Sequence, residues 1–173
     1  FACVLIGINT GRTTQSGICR WVEKEYVWDS KSRGRQKTNA EYAQDVSDFL
    51  EPYGPRAVYV DPRAASFKLD LRKRGIHVVD ADNEVIDGIT FMCSEMQKGN
   101  LFICEECTSL IKEIESYVWD PRSTIIGEDK PLKRDDHAID ATRYACFSHK
   151  ISVYDYQAHA KLQSQYVQNR FSR

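Results

Sequence analysis

The sequence predicts an α/β layered domain, a mixed central sheet with helices packed on both faces. Three observations lead there. The chain opens on an unbroken apolar run, "ACVLIGINT", which reads as a strand buried on both sides. A stretch rich in aromatic and β-branched residues, "SGICRWVEKEYVWD", follows after a short turn. From residue 39 onward, helical stretches alternate with short apolar runs bounded by Gly and Pro.

Element by element, "GRTT" is the first turn, and "SGICRWVEKEYVWD" gives two further short strands, antiparallel and closely linked. "SKSRGRQKTN" is a polar loop with four cations and no acid. Thr38 or Asn39 caps a helix through "AEYAQDVSDFLEPYG", which Pro52 and Gly54 stop. "RAVYVD" is a short buried strand ending on Asp61, and "PRAASFKLDLRKRG" a helix with Pro62 in its first turn and Gly75 past its end. "IHVVDA" is a strand, "NEVIDGITFMCSEMQKG" a helix stopping at Gly99, and "LFIC" a short edge strand. "ECTSLIKEIESYVW" is a helix and "DPRSTIIGEDKPLKR" a long loop or hairpin. "KRDDHAIDATRYA" opens a helix running to about Lys150, and residues 151–173 form a polar C-terminal tail segment set apart from a domain over 1–150.

The 173 residues suffice for one domain with a sizeable core, and 42% hydrophobic against 28% charged residues is ordinary for a soluble globular chain. The net charge of −1 advertises no polyanionic partner, so any nucleic-acid contact must come from local clusters. No apolar run approaches the roughly 20 residues of a membrane span, and the apolar start has no basic leader or cleavage site. Opening on Phe1, the chain is expected to be a domain of a longer protein. The six cysteines sit mostly among apolar residues, as small hydrophobes in a reducing, intracellular setting. "CEEC" at 104–107 lacks two further ligands of zinc spacing.

The acids of residues 135–140 stand out. On a helix, Asp136 and Asp140 are four apart and His137 and Asp140 three apart, so all three side chains can lean toward one spot. Like charges repel there unless a cation lies between them, and carboxylate and imidazole are both metal ligands. Asp135 and Asp136 could instead cap the helix, a role that suits Asp135. Asp140 lies too deep in the helix to cap it, among Ala138, Ile139, Ala141 and Ala145. Asp61 carries two readings. It caps the following helix, or it belongs to a site at a strand C-terminus, where sites collect in open α/β sheets.

"YVDPRAAS", "GI" at 88–89, "SYVWD" at 116–120 and "DHAIDATRYA" at 136–145 together resemble the nuclease domain of the large terminase subunit of tailed bacteriophages, in consistent order over residues 3 to 148. That resemblance implies a ribonuclease-H-like fold. It implies an endonuclease that cuts concatemeric viral double-stranded DNA during genome packaging with divalent metal, Mg²⁺ or Mn²⁺. Its metal site takes one acid from the first strand, one from the end of a later central strand and one from a late helix. By resemblance Asp61 matches the second acid and Asp140 the third. His137 matches a histidine that accompanies the third, and Asp136 is an auxiliary ligand or orienting residue. The resemblance also implies an ATPase domain before residue 1, the portal and small terminase subunit as partners, no membrane, and the cytoplasm of the infected bacterium as location. No GxxxxGK[ST] loop is present, so this chain is not expected to be the packaging motor alone.

The first strand departs from the family pattern. Where an Asp is expected, "GINTG" offers Asn9, a carbonyl oxygen without charge. Either the natural chain carries Asn, or an Asp has been replaced to silence cutting, which is the reading favoured. No nearby acid substitutes, the next being Glu23. Two metals about 4 Å apart would activate water and relieve charge on the leaving oxygen. Asn9 and Asp140 would hold one, Asp61 would bridge, and His137 would bind the second or carry a proton. DNA phosphates are expected on Lys31, Arg33, Arg35 and Lys37, on Arg63 with Arg72 and Lys73, and on Arg122, Lys130, Lys133 and Arg134 beside the acid-bearing helix. Another ribonuclease-H-like nuclease, such as a junction resolvase or transposase, is the alternative enzyme. A catalytically dead DNA-binding or assembly module is the alternative from another class.

Overall fold

The structure, a computed structural model, describes residues 1–14, 17–125 and 127–149. Its elements in order are β1 (Ala2–Thr14), β2 (Gly17–Val27), α1 (Asn39–Leu50), β3 (Val58–Val60), α2 (Ala65–Lys73), β4 (Val78–Asp80), α3 (Val85–Gln97), β5 (Leu101–Ile103), α4 (Thr108–Ser116), α5 (Pro121–Ile125) and α6 (His137–Ser148). β1 and β2 pair antiparallel, and β5 joins the outer side of β2 in parallel, giving a mixed three-stranded sheet. β3 and β4 form a separate parallel pair.

β1 explains the layering. Its apolar run alternates between two cores, because successive side chains of a strand point to opposite faces. Ala2, Val4 and Ile6 pack with Val22, Leu101, Leu110, Ile139 and Cys146, the core shared with α3, α4 and α6. Phe1, Cys3 and Leu5 pack with Val46, Leu50, Val60 and Leu71, the core under α1 and α2. A continuous apolar run is what a strand covered by helices on both faces requires.

Local signals place several helix ends. Thr38 caps α1 with a full capping box: its hydroxyl accepts from the Glu41 amide at 3.3 Å, and Glu41 accepts from the Thr38 amide at 2.8 Å. Gly75, at φ +79°, turns the chain out of α2 in a conformation that costs glycine nothing.

Other expectations are corrected. "GRTT" lies inside β1 rather than in a turn, and "SGICRWVEKEYVWD" supplies one strand instead of two. Between Gly17 and its closing Asp29 that stretch has no turn residue, and β2 absorbs its irregularity as a register shift at Leu5/Ile6. α2 starts at Ala65, leaving Pro62 in the turn before it. The segment read as a long loop or hairpin is closed like a hairpin by an antiparallel bridge between Trp119 and Pro131, and it also contains the unexpected α5. The tail expected over 151–173 lies outside the described residues. No helix among the described residues is long and apolar enough to cross a membrane.

Candidate active-site cleft

β1 and β3 do not belong to one hydrogen-bonded sheet. They flank a cleft of about 790 Å³, lined by Phe1–Ile8 on one side and Val58–Asp61 on the other. α6 packs against both strands and presents His137, Asp140, Ala141 and Tyr144 to the cleft. Asn9 follows the lining residues of β1, opposite Cys19 on β2, where the strand register slips again.

Asp61 stands just past β3. Its Oδ1 accepts from the Arg63 amide at 2.8 Å, closing a turn rather than capping α2. Its Oδ2 accepts from the Tyr144 hydroxyl at 3.1 Å. Tyr144 is four residues beyond Asp140 on α6, so the phenol ties the two carboxylate positions together across the cleft. Burial, then the charges of Asp140 and Asp61, push its hydroxyl up to about 12, which keeps it a donor at neutral pH.

Asp140 is not bare. Arg143 Nη2 donates to its Oδ1 at 2.8 Å, and Lys133 Nζ lies 3.5 Å from Oδ2. The Arg143 side chain is 1% exposed and also donates to the carbonyls of Asn83 and Glu84, at 3.1 and 2.9 Å. Gly88 makes room for it, since a Cβ there would come within 2.7 Å of the Arg143 stem. Asp136 sits at the N-cap of α6 without capping it, and its carboxylate pairs with Lys133 at 3.3 Å. His137 is on the rim, 65% exposed, with Nδ1 4.0 Å from Asp136 Oδ1. Asp135 turns outward to Arg134, at φ +47°, and caps nothing.

The N-terminus of α6 is capped from elsewhere. Glu113 on α4 accepts from the amides of Ala138 and Ile139 at 2.8 and 2.9 Å. Glu25 on β2 does the same for α4, accepting from Ser109 and Leu110 at 2.7 and 2.9 Å. Each carboxylate satisfies two orphan amides and meets the positive end of a helix. Glu113→Ala is expected to cost about 1–2 kcal/mol, read as a fall in the urea midpoint. Burial, above all, holds the Glu113 carboxyl above its ordinary range, the amides of Ile139 and Ala138 opposing it. A carboxyl that binds its proton more readily folded than unfolded favours folding as pH falls through the folded value, and the gain is lost as pH rises. Glu113→Gln should therefore flatten the pH dependence of the melting temperature just above the ordinary carboxylate range.

The expected DNA contacts divide. Arg35 pairs with Glu41 and Lys37 with Asp45. Arg33 and Lys37 also lie over the Trp28 ring, at 4.6 and 3.9 Å, while Lys31 is exposed. Lys130 pairs with Glu128, and Arg134 with Asp135 at 3.4 Å. Arg63 and Arg122 are exposed beside Asp61 and Asp120.

A sequence family described as the terminase RNaseH-like domain matches residues 17–149. The chain belongs to that family. It is 29% identical over 156 residues to the large terminase subunit of Escherichia phage T5, covering 87% of this chain and 34% of that protein. The large terminase of a thermophilic bacteriophage superposes with a TM-score of 0.73 at 37% identity, over 78% of this chain and 34% of that one. The P22 large terminase nuclease domain superposes at 0.59 with 15% identity, over 83% and 79% of the two chains, and speaks to the fold alone. The fold is therefore ribonuclease-H-like, and this chain spans about a third of the length of the first two terminases.

Sequence reasoning missed Tyr144, Arg143 and Glu113. The first two were within reach, because both lie three or four residues from Asp140 on one helix. Glu113 had no local signal, since its partners lie 25 and 26 residues away.

Proposed function

We propose that this chain is the DNA-cutting domain of a large terminase, hydrolysing phosphodiester bonds of concatemeric viral double-stranded DNA during packaging. One observation carries the proposal: Asp61 and Asp140 face a single cleft, with Tyr144 of the Asp140 helix bonded to Asp61, and Asn9 follows directly after the β1 residues that line that cleft. Two carboxylates and an amide oxygen suit one hard divalent cation, Mg²⁺ or Mn²⁺, which Asp61, Asp140 and Asn9 would hold. When bound, such an ion polarises the phosphate and supplies an activated water.

The chain's own groups do the rest. Tyr144 orients the Asp61 carboxylate, and Arg143 fixes Asp140 on its helix face. His137, on the open rim, is placed to exchange a proton with solvent or with a leaving oxygen. Lys31, Arg63 and Arg122 are exposed and are the cations best placed to meet phosphate directly. Arg33, Arg35, Lys37, Lys130, Lys133 and Arg134 would have to exchange acid or ring partners for it. An ATPase domain ahead of residue 1, a portal, a small terminase subunit and the host cytoplasm complete the proposed setting.

A second reading, a dead DNA-binding or assembly module, is favoured by Asn9 and by the ion pairs that already neutralise Asp140. Supercoiled plasmid with Mg²⁺, Mn²⁺ or chelator separates the two. Metal-dependent nicking that disappears in Asp61→Asn supports the nuclease. DNA retention without nicking in any metal supports the module.

A further inference from the structure

Two cations touch Asp140, and they are built differently. Arg143 is sealed into the core between two carbonyls and Gly88, so it cannot leave without breaking the α3–α6 packing. Lys133 is 62% exposed on a four-carbon stem, and its ammonium lies 3.3 Å from Asp136 and 3.5 Å from Asp140. Asp136 is 8% exposed, and its Oδ2 has no hydrogen-bond partner among the described residues, only this ion pair. Of the other charged groups nearby, Arg134 is paired outward with Asp135, the His137 ring stands 4.0 Å from Asp136 on the solvent side, and the Glu113 carboxylate at the start of α6 adds a like charge felt at Asp136. A buried carboxylate oxygen is thus met by a positive charge on a flexible stem.

We propose that Lys133 is a tethered competitor for the divalent cation, resting between Asp136 and Asp140 in the metal-free protein and swinging out when the ion binds. This rests on the assignment of Asp140 to a cation site. A divalent ion at Asp140 and an ammonium within 4 Å repel, so both cannot keep their places. The ammonium end of the pair is 62% exposed and solvent-screened, so Lys133 yields to the ion while still lowering the ion's affinity. Its departure leaves Asp136 Oδ2 open to the ion or to a water on it, which gives the buried orphan oxygen a partner.

The test is Mn²⁺ titration of the metal-free protein at low salt, reading free Mn²⁺ by electron paramagnetic resonance. Lys133→Met is expected to bind Mn²⁺ about two- to fivefold more tightly than wild type, and to melt lower than wild type without metal, because Asp136 Oδ2 loses its counter-charge. The gain should shrink at high salt, and shrink without vanishing in an Asp136→Asn background, where Lys133 keeps its pair with Asp140. Equal affinities for wild type and Lys133→Met would overturn the competitor role while leaving the cation site standing. Mn²⁺ binding that ignores Asp140→Asn in both proteins would overturn the site and the competitor together.

Discussion

Asn9→Asp is expected to raise cutting of supercoiled plasmid by orders of magnitude. Asn9 lies on β1 just beyond the residues that line the cleft shared with Asp61 and Asp140. Its amide oxygen can coordinate a hard cation but brings no charge, and ligand charge is a main determinant of affinity for such ions. The chain as it stands should be weak in Mg²⁺ and partly rescued by Mn²⁺, which binds more strongly along the divalent series. The gain belongs to the ion and not to DNA, so affinity for DNA in chelator should not rise. Equal cutting by the two proteins would remove Asn9 from the site and leave Asp136 as the missing acid.

How much of this could be read from residues alone depends on the range of the interaction. The two-faced character of β1, the Thr38 cap and the Gly75 stop are written within a few positions, and the structure keeps them. Asp61 and Asp140 stood out because each is an acid at the end of, or inside, an apolar element. Their meeting in one cleft is tertiary, and no spacing in the chain announces it. The separation of β3 and β4 from the β1–β2–β5 sheet was equally invisible, since apolar runs of three residues fit either arrangement. The helix expected to be capped by Asp135 is capped by Glu113, whose partners no local pattern could suggest.

Asp140→Ala, placed in the Asn9→Asp protein, is expected to abolish cutting and also to destabilise the fold by about 3 kcal/mol. Arg143 is the reason. Removing Asp140 leaves a guanidinium 1% exposed with two carbonyls for company and no counter-charge, its Nε having no hydrogen-bond partner among the described residues already. Loss of activity in that variant would mix chemistry with unfolding. Asp140→Asn keeps an oxygen for Arg143 and should lose cutting with a smaller loss of stability. Urea midpoints measured beside plasmid nicking separate the effects. Full nicking in Asp140→Asn would take Asp140 out of the chemistry, and an unchanged midpoint in Asp140→Ala would show that Arg143 does not depend on it.

The two carboxylate caps have a consequence beyond stability. Glu25 reaches from β2 to the first turn of α4, and Glu113 reaches from α4 to the first turn of α6. The helix bearing Asp140 is therefore hung, through two rigid links, from the hairpin whose other strand carries Asn9. A helix start is ordinarily the first place to fray. Here unravelling either start would leave a half-buried acid without its two amides, which couples the opening of the hairpin to that of the two helices. The parts that must meet across the cleft are thus tied into one cooperative unit, which resists local breathing that would pull Asn9 on β1 and the α6 acid out of alignment separately.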